Sequence, residues 1–258
     1  MKGGDVLDIL QILANIEARE NVRIIYAVES GSRAWGFASP DSDFDVRFIY
    51  VRPTEDYLRL EGFEDFIDCP HDEILDANGW DLKKTLRQFM KSNATLFEWA
   101  NSPIVYKSTP DWENIFAVGQ KFFSPRETFA AYAGFAKNVG LALLKRDSVS
   151  PKRYLYALRT IFCRNYVAEK LCPPPVAFEK LSLEMSPENL RAEISSLIER
   201  KTSSAEKTST EKIPVLDEFI SAELKREGRL KKRLPPTISR SWQALDEVFI
   251  RCLRGELR

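Results

Sequence analysis

The stretch Glu29-Ser-Gly-Ser-Arg-Ala-Trp-Gly-Phe-Ala-Ser-Pro-Asp-Ser-Asp-Phe-Asp-Val-Arg-Phe-Ile-Tyr50 decides the fold. Residues 23–28, directly before it, form a short β-branched and aromatic run that predicts a strand. Residues 44–51 form a second such run and predict a second strand, which ends before Pro53. Apolar residues at helical spacing over residues 5–20 predict a helix before the first strand. The N-terminal part is therefore expected to have an α/β fold.

The polar residues of this stretch predict a site for a triphosphate and a metal ion. Gly31 and Ser32 predict a tight turn, whose backbone N–H groups can hold a phosphate. Asp43 and Asp45 are separated by one residue, so on a strand their side chains would point to the same face. Two carboxylates on one face repel each other unless a cation lies between them, and Mg²⁺ prefers oxygen ligands that it shares with substrate phosphates.

A third carboxylate would complete a two-metal site, and the sequence offers two candidates. Residues 73–80 predict another strand of the same sheet, and it contains Asp76. Asp81 follows and stands at the N-cap of a helix predicted over residues 81–90, which is a structural role. We favour Asp76 as the third ligand and keep Asp81 as the alternative.

Composition excludes several other classes of protein. The chain has 258 residues with 38 basic and 38 acidic side chains, so no net positive charge draws it to nucleic acid. Four scattered cysteines and one histidine argue against a zinc site and suit free thiols in a reducing cytoplasm. The sequence contains neither an apolar run long enough to span a membrane nor a P-loop or Rossmann glycine motif.

The sequence changes character near residue 121, and we expect two domains, residues 1–120 and 121–258. The second is expected to be all-helical, with mobile residues 201–212 between two of its helices. A basic run over residues 225–233 could bind RNA phosphates or form a solvated face. The helices are predicted over residues 124–145, 152–171, 185–201, 212–228 and 239–253.

Two groups of basic residues are candidates for nucleotide contacts. Lys152, Tyr156 and Arg159 fall on one face of their helix, where they could contact the phosphates or base or simply form a solvated face. The helix after Asp81 carries a second basic set, which could form a solvated surface, although Lys84 is near enough to the proposed site to assist. Its members are Lys83, Lys84, Arg87 and Lys91.

Several separated motifs resemble one family. Gly31-Ser32 followed by Asp43-x-Asp45 resembles the signature of the DNA polymerase β-type nucleotidyltransferase superfamily. The longer string from Glu29 is similar to the predicted bacterial and phage nucleotidyltransferases of the YcgL type, also called the RNA repair pathway polymerase β family. Further matching segments occur in the same order, and the resemblance covers roughly residues 25–180. These segments are Gly79-Trp-Asp-Leu-Lys-Lys-Thr-Leu86, Lys91-Ser-Asn93, Glu98-Trp-Ala-Asn-Ser-Pro-Ile-Val-Tyr106 and Lys152-Arg-Tyr-Leu-Tyr-Ala-Leu-Arg159.

The resemblance implies a short mixed sheet flanked by helices and a metal-dependent nucleotidyltransferase of the EC 2.7.7 type. Gly31, Ser32 and Arg33 would bind the triphosphate. Asp43 and Asp45, with a third acid on a following strand, would bind Mg²⁺ or Mn²⁺. A nucleoside monophosphate would pass from an NTP to a hydroxyl or phosphate of an RNA end, a protein or a small molecule. The alternative is a module of the same fold that binds or senses nucleotides without turnover.

Overall fold

The computed structural model describes residues 3–69, 74–203, 210–237 and 239–257. These residues form a mixed α/β structure with many helices, which confirms the predicted fold class. In chain order the helices are α1 (Gly3–Glu20), α2 (Gly31–Trp35), α3 (Thr54–Tyr57), α4 (Leu82–Met90), α5 (Ala94–Ala100), α6 (Pro110–Gly119), α7 (Pro125–Leu144), α8 (Pro151–Lys170), α9 (Phe178–Met185), α10 (Arg191–Ser203), α11 (Pro214–Lys231) and α12 (Gln243–Leu253).

The strands form a five-stranded mixed sheet and a separate short pair. The main sheet has the order β3-β4-β2-β1-β5, in which β2 and β4 are parallel and the other neighbours are antiparallel. The short pair β6 and β7 is antiparallel. The strands are β1 (Arg23–Glu29), β2 (Phe44–Val51), β3 (Phe66–Asp68), β4 (Leu75–Asp81), β5 (Val105–Ser108), β6 (Ser148–Val149) and β7 (Thr210–Glu211).

The chain divides into two compact units. The first comprises residues 1–31, 43–122 and 239–258, and the second comprises residues 32–42 and 123–238. The predicted division between residues 120 and 121 stays a prediction. The units differ from it in three segments: residues 32–42 group with the helical part, and residues 121–122 and 239–258 group with the sheet.

The first unit contains the sheet with helices packed on it. On one face, α1 places Ile9, Leu13 and Ile16 in a core with apolar residues of β1 and β2, including Phe48. On the other face the ring of Tyr26 stacks on a tryptophan of α6, with the two ring centroids 4.3 Å apart. Side chains alternate along β2, so one face of the strand is apolar and packs toward α1. The opposite face carries polar side chains at the start of the strand.

The second unit is built from α7 to α11 with the residues 32–42. Its core includes a buried ion pair, in which Arg164 donates to Glu223 at 2.7 Å and Asn165 donates to the same carboxylate at 2.8 Å. Both partners of the ion pair are almost completely buried, so the additional hydrogen bonds offset part of the desolvation cost.

Several local predictions need correction. Gly31 and Ser32 are the first residues of α2, so the predicted tight turn is part of a short helix. The predicted helix over residues 185–201 begins only at Arg191; Met185 is the last residue of α9, and Glu188–Leu190 form a short 3-10 helix between the two. Elements β5 and α6 had no counterpart in the prediction. Of the segment predicted to be mobile, residues 204–209 lie outside the described residues. No helix among the described residues has the length and apolarity needed to cross a membrane.

Candidate active site

The parallel pairing of β2 and β4 brings together two of the predicted acids. Asp45 and Asp76 are register partners, so they lie at the same height on the same face of the sheet. Each is the second residue of its strand, near the N-terminal end. The side chains are 22% and 29% exposed, so solvent reaches both carboxylates.

Arg47 joins these two carboxylates. Its Nη2 donates to Oδ2 of Asp76 at 2.7 Å and to Oδ1 of Asp45 at 3.1 Å, while Nη1 donates to the backbone carbonyl of Asp76 at 2.8 Å. The Arg47 side chain is only 14% exposed, so the guanidinium is held in a largely protein environment. Its positive charge offsets the repulsion that the two acids would otherwise feel.

Gly31 lies against the carboxylate of Asp45. Its φ angle is +58°, which L side chains rarely adopt, and a Cβ at this position would lie 1.8 Å from Oδ2 of Asp45. The backbone of Ser30 donates to the carbonyl of Asp45 at 2.8 Å, which fixes the two segments to each other. Only glycine satisfies both the backbone angle and the close approach.

The buried acid Glu29 holds the backbone of Asp45 in place. Glu29 is completely buried, and its Oε1 accepts a hydrogen bond from the backbone N–H of Asp45 at 2.8 Å. Its Oε2 accepts a short hydrogen bond from the hydroxyl of Tyr106. Because Glu29 pairs with Val46 in the antiparallel register of β1 and β2, it lies on the face opposite Asp45. It therefore fixes the backbone of Asp45 without competing for its side chain.

The other two acid candidates occupy different positions in the fold: Asp43 lies just before β2, and Asp81 is the last residue of β4. Asp43 precedes β2, which begins at Phe44, so the argument from strand alternation does not apply to it. Asp81 is the N-cap of α4 as predicted, and its Oδ1 accepts from the backbone N–H of Lys83 at 2.7 Å. Asp81 is completely buried and accepts from the hydroxyl of Tyr57 at 2.7 Å; burial raises the pKa of its carboxyl.

The fit to a metal ion rests on two carboxylates rather than three. Among the residues that the structure describes, no group of three or more His, Cys, Asp or Glu side chains is arranged to hold a metal ion. Asp45 and Asp76 nevertheless converge on one cationic nitrogen, and they are the hard oxygen donors that Mg²⁺ and Mn²⁺ prefer. Two protein carboxylates suit a Mg²⁺ ion that takes its other ligands from phosphates and water.

Lys84 lies away from these acids. It is on α4, which follows the opposite end of β4 from Asp76, about 16 Å along the strand at about 3.3 Å per residue. Its Nζ forms an ion pair with Asp65 at 2.8 Å and lies 5.1 Å from the ring centroid of Phe66. The structure therefore gives Lys84 a local partner, and its predicted role in nucleotide binding stays a prediction.

The second unit brings the three predicted α8 residues together around one tryptophan. The guanidinium carbon of Arg159 lies 4.1 Å from the ring centroid of Trp35, a cation–π contact. The ring of Tyr156 meets Trp35 edge-on at 4.9 Å, and Nζ of Lys152 lies 5.8 Å from the centroid of Tyr156. Arg159 is only 4% exposed, so this residue belongs to the interior of the unit rather than to a solvated face.

The remaining triphosphate candidates have structural contacts. Ser32 is buried, and its backbone carbonyl accepts from the N–H groups of Gly36 and Phe37 at 3.1 Å. Arg33 donates from Nη2 to the carbonyl of Ser42 at 2.7 Å, which closes the loop that follows α2. The assignment of Ser32 and Arg33 to triphosphate binding stays a prediction.

Two residues of the site were missed by the sequence analysis. Arg47 stands two positions after Asp45 on the same strand, and this spacing puts a cation beside an acid on one face. Glu29 is a carboxylate at the end of an otherwise apolar strand, which indicates a buried acid with a dedicated partner. Both signals were present in the quoted stretch.

The comparisons with known proteins agree with the resemblance in the sequence. The uncharacterized protein YcgL from Bacillus subtilis (strain 168) is 40% identical over 228 residues, which are 88% of each chain. The uncharacterized protein MJ0002 from Methanocaldococcus jannaschii is 27% identical over 141 residues, which are 54% of this chain and 57% of that protein. A nucleotidyltransferase-like protein from Exiguobacterium sibiricum 255-15 aligns with a TM-score of 0.31 at 14% identity, covering 95% of this chain and 79% of that one.

A family model covers nearly the whole chain. It matches residues 7–251, a range that includes all the acids of the candidate site and the α8 residues. The chain belongs to the RNA repair pathway DNA polymerase beta family.

Proposed function

We propose that the protein is a metal-dependent nucleotidyltransferase that moves a nucleoside monophosphate from an NTP to a hydroxyl or phosphate acceptor and releases pyrophosphate. The observation that carries the proposal is the convergence of Asp45 and Asp76 beside the backbone of Gly31. Membership of a polymerase β family supports nucleotidyl transfer as the general chemistry.

In this proposal Asp45 and Asp76 hold Mg²⁺ or Mn²⁺, with Asp43 as a further ligand from the loop before β2. When bound, the metal would lower the pKa of the attacking hydroxyl and stabilise charge on the transferred and departing phosphates. Gly31 lets the backbone approach closely, so that no side chain stands between Asp45 and an incoming phosphate. Glu29 keeps the Asp45 backbone in place during turnover.

Arg47 would have two functions in this mechanism. Without substrate its single positive charge offsets part of the repulsion between Asp45 and Asp76, which lowers the cost of keeping two acids a short distance apart. With a metal–nucleotide complex present, its guanidinium would release at least one carboxylate and become available to a phosphate oxygen, for which its planar fork is suited.

The acceptor in this proposal is an RNA end, a protein or a small molecule. The description of the family favours RNA, and transfer to a protein or a small molecule would use the same chemistry. The residues Ser32, Arg33, Lys84, Lys152, Tyr156 and Arg159 are proposed nucleotide contacts, each to be tested by substitution.

The direct test is transfer of label from each α-labelled NTP, with Mg²⁺ or Mn²⁺, to total RNA or protein. Asp45→Asn should abolish labelling while leaving the far-UV circular dichroism and thermal unfolding close to wild type. Asp68→Asn is the matched control, since Asp68 is an exposed acid on β3 of the same sheet. Undiminished labelling by the Asp45 variant would rule out the catalytic role.

The second candidate is a module that binds nucleotides without turnover. The observation in its favour is that Arg47 pairs with both acids and offsets part of their repulsion, so a cation already lies between them in the absence of metal. This candidate predicts metal-independent NTP binding by calorimetry and no label transfer to any acceptor. Labelling that depends on both Asp45 and a divalent cation would exclude it.

A further inference from the structure

The first unit contains a cavity that none of the candidate site acids lines. It lies between α4 and α12, has a volume of about 280 Å³, and is here called the α4–α12 groove. Lys83 and Arg87 line it from α4, and Trp242 and Asp246 line it from the start of α12. Its apolar base includes Leu86 and Phe249. The groove thus combines two cations, an acid and aromatic side chains.

Trp242 is unusual because it is an exposed tryptophan. It is 49% exposed, although burying so large an apolar ring would be favourable. An exposed aromatic ring beside cations is the arrangement on which proteins stack the bases of single-stranded nucleic acids. Every base has a π-face, so this recognition does not depend on a single sequence.

The two cations have the geometry to contact neighbouring phosphates. Lys83 and Arg87 are four residues apart on α4, which places them on one face about 6 Å from each other. Both are exposed, and within the described residues neither forms an ion pair with a carboxylate. Their charges are therefore available to an anionic partner, whereas Lys84 of the same helix is paired with Asp65.

Asp246 gives the groove a preference among bases. A carboxylate accepts hydrogen bonds from the exocyclic amino group of cytosine and is repelled by the carbonyl oxygens of uracil. The lining matches a base with an amino group, attached to a strand whose phosphates reach α4.

Side-chain contacts hold both walls of the groove in place. The ring of Phe249 packs edge-on against Tyr57 with the centroids 5.2 Å apart, and the hydroxyl of Tyr57 donates to Asp81, the N-cap of α4. Arg240 donates to the carbonyl of Met90 at the end of α4, which holds the segment that leads to Trp242. Because these contacts fix both walls, little ordering entropy would be lost on binding.

We propose that the α4–α12 groove binds a single-stranded nucleic acid, with a base stacked on Trp242 and its phosphates at Lys83 and Arg87. The further identification of this strand as the acceptor rests on the proposed function. Asp76 lies about 16 Å along β4 from the start of α4, a distance of about five nucleotides at a rise of about 3.4 Å each. The groove would therefore hold the strand several nucleotides from its reacting end.

The test is fluorescence anisotropy of the full chain with fluorescein-labelled single-stranded 12-nucleotide RNAs, oligo(C) and oligo(U), without NTP or metal. Wild type should bind oligo(C) more tightly than oligo(U). Trp242→Ala should weaken binding about tenfold or more, and Trp242→Phe, which keeps the stacking surface, should stay within about threefold of wild type.

The cations are tested with a matched double variant. Lys83→Ala with Arg87→Ala should weaken binding at least tenfold and flatten its dependence on salt concentration. The control is Arg251→Ala with Arg254→Ala, which also removes two exposed cations, from the end of α12. Asp246→Asn should reduce the preference for oligo(C). Circular dichroism and thermal unfolding check that each variant is folded.

The outcomes separate this proposal from the catalytic one. Absence of RNA binding by wild type, or equal binding by wild type and Trp242→Ala, would overturn the groove proposal whatever the activity. Loss of labelling in Asp45→Asn with RNA binding intact would leave both proposals standing. If RNA labelling shows the same KM for RNA in wild type and in Trp242→Ala, the groove does not hold the acceptor.

Discussion

Gly31 lies so close to the side chain of Asp45 that position 31 has no room for a side chain. A Cβ on Gly31 would lie 1.8 Å from Oδ2 of Asp45, and the glycine adopts a φ of +58°. The absence of a side chain at one residue therefore sets the position of the carboxylate at the other.

Gly31→Ala should displace the Asp45 carboxylate and reduce nucleotidyl transfer about a hundredfold or more, the order expected when charge stabilisation in a transition state is lost. The backbone angle adds about 1–3 kcal/mol of strain to the folded state. Gly36→Ala is the control: Gly36 also has a positive φ, +89°, but nothing lies within 4 Å of its Cβ position. A similar loss of activity in both variants would show that strain, and not the contact with Asp45, is responsible.

Arg47→Met should make the pair of acids depend on an external cation. Without the guanidinium, Asp45 and Asp76 repel each other, and we expect the free energy of unfolding to fall by about 2 kcal/mol in chelator. Added Mg²⁺ should then raise the melting temperature more in the variant than in wild type.

The control for Arg47 is Arg59→Met, which removes a 70% exposed arginine that pairs with Asp56 at the surface. It should show the wild-type response to Mg²⁺. A response to Mg²⁺ no larger in Arg47→Met than in wild type would mean that the two acids do not share a cation site.

Asp76→Asn and Asp81→Asn decide between the two candidates for the third acid. Asp76 faces Asp45, so its loss should lower kcat about a hundredfold or more. Asp81 caps α4 and is buried, and asparagine is also a good N-cap, so activity should stay within about tenfold of wild type. A larger loss in the Asp81 variant would reassign the role.

Asp81 should also leave a signature in the pH dependence of stability. Burial raises the pKa of its carboxyl above the ordinary value of 3.8, so the folded protein binds this proton more tightly than the unfolded chain does. Stability from this group is present below about pH 3.8 and is lost as pH rises through the raised pKa. Relative to Asp81→Asn, wild type should become less stable across that range in denaturant titrations; a constant difference would contradict the assignment.

Glu29→Ala should weaken both the fold and the site. It leaves the N–H of Asp45 and the hydroxyl of Tyr106 without their buried acceptor, at a cost of about 3 kcal/mol in the free energy of unfolding. Because the Asp45 backbone then moves, kcat should fall more than KM changes. Glu29→Gln keeps one acceptor oxygen and should recover most of the stability, whereas equal effects of the two substitutions would argue against positioning through these hydrogen bonds.

Strands of the sheet could be predicted where the local sequence pattern is strong. Strands whose position depends on pairing with other strands could not. The run after Asp43 is apolar and β-branched, so β2 was found with its correct bounds. The edge strand β5 has only four residues and lies between Pro103 and Pro110, so its signal is weak. The N-cap Thr109 and Pro110 at the first turn of α6 were signals that could have predicted that helix.

The site was predictable in its acids and not in their arrangement. Asp45 and Asp76 lie side by side because β2 and β4 pair in parallel in this register. The local sequence pattern of either strand does not predict that pairing. The role of Arg47 follows from that pairing and was hidden for the same reason. Likewise, the packing of α12 against α4 and α6 joins segments more than 120 residues apart, beyond the reach of periodicity.

The parallel register of β2 and β4 has a consequence for how this protein is made. The two acids are separated by 31 positions in the chain, and the second strand must close that loop before Asp76 can stand beside Asp45. A nascent or partly unfolded chain therefore has two isolated carboxylates with ordinary affinity for cations. The ability to bind a metal–nucleotide complex would arise only when the sheet is complete. Correct folding and the capacity for catalysis would therefore be acquired in the same step.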